Sequence, residues 1–114
     1  MQEPTHFLTV RELAESLSSG EITSVQLTQM YLDRAEELDP PPFDLPSEPR
    51  PDHEGQLSTM VTIAREHALE SAERADAELR SGRRRSILHG IPYGVKDLLD
   101  TDGIRTTWGS GIFR

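Results

Sequence analysis

Apolar residues recur along the first forty positions with a helical period. Val10, Leu13, Ala14 and Leu17 fall at i, i+3, i+4 and i+7, which predicts an amphipathic helix. Thr9 followed three residues later by Glu12 forms a capping box, and Gly20 can supply the left-handed residue that ends the helix. A second helix is predicted over "TSVQLTQMYLDRAEEL", with Thr23 and Gln26 as its capping box and Leu27, Tyr31, Ala35 and Leu38 along one face. A third runs through "AREHALESAERADAELRSG". Ala64, Ala68, Ala72, Ala75 and Leu79 form its inner stripe, and Gly82 is its stop. So many alanines predict close packing against a sheet or another helix.

The period shortens to that of strands twice. "LSTMVTI", 57–63, is β-branched and apolar. In "ILHGIPYGVKDLL", Ile91, Tyr93 and Val95 point one way and Pro92, Gly94 and Lys96 the other, which predicts a second strand over 91–96. Pro92 places that strand at an edge or puts the proline at its start. Residues 39–56 hold six of the eight prolines and are expected to be a loop insertion. Asp102-Gly103 and Gly109-Ser110-Gly111 mark turns near the end. The order helix, helix, strand, helix, strand, loop is an α/β pattern. Two strands do not make a stable sheet, so the pattern is incomplete.

Composition narrows the function classes. The 114 residues suit one domain; they are 34% hydrophobic, and the net charge is −8. An acidic chain repels phosphate backbones, so direct nucleic-acid binding is not expected. With no cysteine there is no disulfide, thiolate metal site or cysteine nucleophile, and a reducing, cytoplasmic location is expected. "MQEPTHFLTVRE" is acidic and polar with no basic or apolar leader region, so no signal peptide is expected, and no apolar run approaches the roughly 20 residues that span a membrane.

Candidate chemistry centres on Lys96. A lysine ending an apolar, glycine-bearing run either reaches water or is kept neutral by burial and acts as a base or nucleophile. Asp97 would favour the charged form if its side chain lay near, or else would serve the following turn. Ser110 lies in "WGSG", which lacks the first glycine of a nucleophile elbow. His6, His53, His67 and His89 show no metal-ligand spacing, "DHE" at 52–54 is a weak pattern, and no phosphate-binding glycine loop occurs. No cofactor and no metal is expected. Four arginines within 80–85 are either a solvated helix end or a patch for an acidic partner.

"LHGIPYGVKDLLDTDGIRTTWGS", 88–110, resembles the amidase signature family, through Leu88, Gly90, Ile91, Pro92, Lys96, Asp97, Thr106, Thr107, Gly109 and Ser110. The two helices and the 57–79 region are similar to that family's opening elements. The family comprises acylamide hydrolases and the A subunit of the aspartyl/glutamyl-tRNA amidotransferase. The resemblance implies one amidase domain, a mixed sheet flanked by helices, of which residues 1–114 are the N-terminal portion. It also implies that Lys96 is the base of a Ser–cis-Ser–Lys triad acting on a small-molecule amide. Both family serines lie in a Gly-Ser-Ser-Gly-Gly-rich segment beyond the lysine block, and this sequence has none. The chain alone is therefore expected to be inactive, as a fragment, a non-catalytic interaction module, or one half that needs a complementing or amidotransferase subunit.

Overall fold

The structure is a computed structural model, and it describes residues 5–38, 59–110 and 112. Three helices account for its regular structure: α1 (Val10–Ser19), α2 (Ser24–Leu38) and α3 (Arg65–Arg80), preceded by one 3₁₀ turn at Thr5–Phe7. The chain divides into two units, one from Met1–Leu32 with Arg65–Tyr93, the other from Asp33–Ala64 with Gly94–Arg114.

Local hydrogen bonding sets the start and stop of α1, the start of α2 and the end of α3. The Thr9 hydroxyl accepts from Glu12 N–H at 3.3 Å, and Glu12 Oε2 accepts from Thr9 N–H at 2.7 Å. Gly20 then closes α1 at φ 77°. Thr23 and Gln26 make the same reciprocal pair at 2.9 and 3.1 Å at the start of α2. The C-terminus of α3 ends in a Schellman turn: Gly82 N–H reaches Leu79 O at 3.0 Å and Arg83 N–H reaches Glu78 O at 2.9 Å.

The core of this unit is small. Leu13, Leu17 and Leu27 are buried together, and Leu8, Ile22, Met30, Tyr31, Leu79 and Ile91 pack on them. Burying each leucine stabilises the fold by roughly 1.5–3 kcal/mol, before the entropy of ordering is counted. Leu79 brings α3 onto the α1–α2 leucines, so the alanine-rich helix packs on helices rather than on a sheet. Ala14 and Ala72 are buried too, whereas Val10, placed by period on the inner face, is exposed.

The two expected strands are not present among the described residues. Residues 59–63 and 91–96 carry no ladder; residues 57 and 58 lie outside the description. The only pairing among the described residues is an isolated antiparallel bridge between Thr101 and Ile104. A helix satisfies its backbone from within, but a strand needs a neighbour, and neither segment meets one here. Among the described residues the expected mixed sheet is not seen, and three helices with extended or turning segments stand in its place. The predicted alternation over 91–96 does not hold either: Ile91 joins the core, whereas Tyr93 and Val95 are exposed. The proline-rich segment 39–56 lies outside the described residues.

Candidate functional site

Lys96 lies in the second unit with its side chain exposed. The buried strand end expected for it is absent, because no neighbouring strand covers 91–96. Its backbone carbonyl accepts from Leu99 N–H at 3.0 Å, which starts the turn that follows.

Asp97 takes the second of the two roles open to it. Its Oδ1 accepts from Thr107 N–H at 2.9 Å, and its Oδ2 accepts from the Thr107 hydroxyl in a short contact. Its own carbonyl accepts from Trp108 N–H at 3.1 Å. The Thr107 hydroxyl and N–H hold the carboxyl below its ordinary value; burial opposes this slightly, and Gly109 N–H and Lys96 add smaller shares. Thr107 is buried.

Beyond Thr107 the chain reverses. Ser110 N–H returns to Thr107 O at 2.9 Å, and Gly109 N–H reaches the Thr107 hydroxyl at 3.3 Å. The two central residues, Trp108 and Gly109, have φ 55° and 71°. Two consecutive positive φ values define a type I′ turn. Glycine adopts that region freely, but tryptophan does so at a cost of roughly 1–2 kcal/mol. The hydrogen bonds to Asp97 hold the strained residue in place. Thr106 adds a bond to Leu99 O at 3.2 Å, so the 96–99 and 106–110 segments are tied at several points. Ser110 closes this turn by its backbone, and its hydroxyl accepts from Ile112 N–H at 3.3 Å, which is a structural role.

The first unit holds a second constellation that sequence patterning did not single out. Asp76, 7% exposed, sends Oδ1 to Ser24 N–H at 2.7 Å and Oδ2 to Val25 N–H at 3.1 Å. A carboxylate from α3 thus caps the first turn of α2, where free N–H groups and the helix dipole favour negative charge. Ser24 Oγ donates to Gly90 O at 2.7 Å. Gly90 has φ +88°, and a Cβ there would meet side-chain carbons of Leu79, Leu17 and Ser24 at 3.3–3.4 Å. The signal available in the sequence was Asp76 itself, a charged residue four places after Ala72 and three before Leu79, inside the apolar stripe.

The imidazole of His89 is tucked in as well, with 5% of its side chain exposed. Its Nδ1 accepts from Arg85 N–H at 3.0 Å, so its ring proton sits on Nε2, 3.2 Å from Glu78 Oε2. Glu78 also receives the Arg85 guanidinium, and Arg84 reaches Ser18 Oγ at 2.6 Å. With Arg83 Nε reaching Ser81 Oγ at 3.1 Å, three of the four arginines are committed to holding the loop after α3. Among the described residues no group of three or more His, Asp or Glu could hold a metal ion, and the "DHE" pattern at 52–54 lies outside them.

The amidase family profile matches residues 52–114, more than half of the chain. The chain belongs to the amidase family. The match contains Lys96, Asp97, Thr107 and the Trp108–Gly109 turn. The chain is also similar to three proteins named as the A subunit of glutamyl-tRNA(Gln) amidotransferase. It is 40% identical over 105 residues to that of Acinetobacter baumannii, covering 92% of this chain and 18% of the relative. The Marinobacter nauticus protein is 37% identical over the same shares. That of a Marinomonas species is 40% identical over 89% of this chain and 18% of its own. This amidase-family chain thus spans under a fifth of the length of those relatives. No solved structure matches it.

Proposed function

We propose that this chain supplies the general base, Lys96, to an amidase that cleaves carbon–nitrogen amide bonds of a small-molecule substrate. The family match across 52–114, which contains the whole Lys96-to-Ser110 block, carries the reading. In the reaction, a neutral Lys96 amine takes a proton from a bridging serine, which in turn takes one from the serine that attacks the amide carbonyl. The acyl-serine forms, the amine or ammonia leaves, and water or another acceptor releases the acyl group. Backbone N–H groups of a glycine-rich loop would hold the oxyanion.

No Gly-Ser-Ser-Gly segment occurs in these 114 residues. The nucleophile, the bridging serine and the oxyanion loop are therefore supplied by residues outside these 114, which by themselves are inactive. In the assembled domain, residues 57–63 and 91–96 become strands of a mixed sheet. That sheet covers Lys96, and burial disfavours an ammonium relative to a neutral amine. The absence of cysteine keeps the cytoplasm as the proposed location.

A second reading, favoured by the names of the similar proteins, is the A subunit of an amidotransferase that works with partner subunits on glutamyl-tRNA. The acidic net charge disfavours direct RNA contact by this segment.

The test is a graft. This chain replaces the matching segment of the Acinetobacter baumannii relative, and ammonia release from glutamine is followed. The graft should turn over, and Lys96→Ala should lower kcat by about a thousand-fold or more. A graft that is inactive when unsubstituted, or one that keeps its kcat with Lys96→Ala, contradicts the reading. Ammonia release that appears only with the relative's partner subunits selects the amidotransferase reading.

A further inference from the structure

We propose that Asp97 is a positioning residue that acts through Thr107, pinning the Thr106–Ser110 turn to the backbone that carries Lys96. The inference rests on the reading of Lys96 as the base and names what holds it.

The alternative role for Asp97 is ion partner to its neighbour, and the geometry disfavours it. Both carboxylate oxygens are taken by one residue, Thr107, through its N–H and its hydroxyl. Among the described residues no ion pair joins Asp97 to Lys96. The Asp97 carbonyl is held as well, by Trp108 N–H at 3.1 Å, and the Lys96 carbonyl by Leu99 N–H at 3.0 Å. The peptide group between Lys96 and Asp97 and the one that follows it are thereby fixed to two different turns.

This matters for a lysine base. Its amine sits on a flexible four-carbon stem, so the direction in which the backbone launches that stem sets where the amine can reach. A general base works only within hydrogen-bond reach of the proton it takes. The strained Trp108 makes the tie conditional. Without the bonds that Asp97 accepts, only the turn's own bonds, from Ser110 N–H to Thr107 O and from Gly109 N–H to the Thr107 hydroxyl, hold tryptophan at positive φ.

The chemistry of the tie fixes which replacements preserve it. An asparagine at 97 still accepts from Thr107 N–H and can donate to its hydroxyl, though it has lost the charge. A serine at 107 keeps the hydroxyl; a valine keeps the shape and loses it.

The experiment is a double-mutant cycle in the graft, with kcat and KM measured separately. Asp97→Ala and Thr107→Val should each lower kcat about ten-fold with KM little changed, and the double variant should lower it no further. Asp97→Asn and Thr107→Ser should keep most of kcat. A second measurement reads the tie in the chain itself. Trp108 is its sole tryptophan, so fluorescence anisotropy should fall in Asp97→Ala and Thr107→Val and hold in the two conservative variants.

If Asp97→Asn is as damaging as Asp97→Ala while Thr107→Val is silent, Asp97 is an ion partner and the proposal is overturned. Additive losses, or an anisotropy that none of the four variants changes, overturn it too. The two readings fail separately. Lys96→Ala inactive with Asp97→Ala unimpaired removes only the positioning role, whereas an active Lys96→Ala removes the base and this inference with it.

Discussion

A carboxylate inside an alanine-rich stripe destabilises a helix interface unless fixed donors receive it, and Asp76 has two. Its bonds to Ser24 and Val25 replace water at the start of α2. Asp76→Ala should therefore cost about 1–2 kcal/mol, the usual loss for a removed cap. Asp76→Asn, which can still accept one of the two bonds, should cost less; thermal unfolding of the chain ranks them. The same scale holds a pH prediction at Asp97. Its folded carboxyl titrates below the ordinary value, so the stability that its charge adds to the Thr107 tie is present above that value and is lost as pH falls through the lower, folded one. Thermal stability followed into acid should lose that increment in this window, and the loss should be absent in Asp97→Asn. Of these residues, Asp97 stood out beside Lys96 in the motif, and its turn role was one of the two left open. Asp76 was not singled out, because a helical wheel says which face a residue occupies and nothing about the backbone donors waiting opposite it.

At the scale of elements, the helices were legible and the strands were not, for one physical reason. Caps and stops are local: Thr9 with Glu12, Thr23 with Gln26, Gly20 and Gly82 all act within one turn of their helix. Strand pairing is not local, and β-branched residues at 57–63 or alternation at 91–96 cannot supply the neighbour they require. The α1 cap gives a prediction of its own. Hydrogen bonds from the Thr9 hydroxyl and N–H lower the Glu12 carboxyl below its ordinary value. The contribution of that cap is present above the ordinary value and fades as pH falls through the folded one. Glu12→Gln should flatten this part of the pH dependence of helicity, measured by circular dichroism. Gly90 is the other element-level control. Gly90→Ala would place a methyl against Leu79, Leu17 and Ser24 at positive φ, and should destabilise the chain by more than about 1 kcal/mol.

At the scale of the molecule, the apolar surface is divided unequally between inside and outside. Leu27 is fully buried, and Leu27→Ala should cost about 2–5 kcal/mol, most of what so small a core can supply. Meanwhile Tyr93, Val95, Leu98, Leu99 and Trp108 are exposed, Tyr93 at 85% and Trp108 at 62%. Apolar residues so dense on an extended segment favour self-association. Light scattering of the isolated chain should rise with concentration, and Tyr93→Ser with Leu99→Ser should reduce it; a concentration-independent monomer would contradict this. These exposed residues flank Lys96, and the relatives are more than five times as long as the matched segment, so the proposed domain has ample chain to cover them. The central claim is that Lys96, once covered, works as a neutral base. The pH dependence of kcat/KM in the graft tests it most directly. The rate should fall towards acid with the slope of a single proton. A rate that stays flat into acid, well below the range in which any lysine is neutral, would contradict the account.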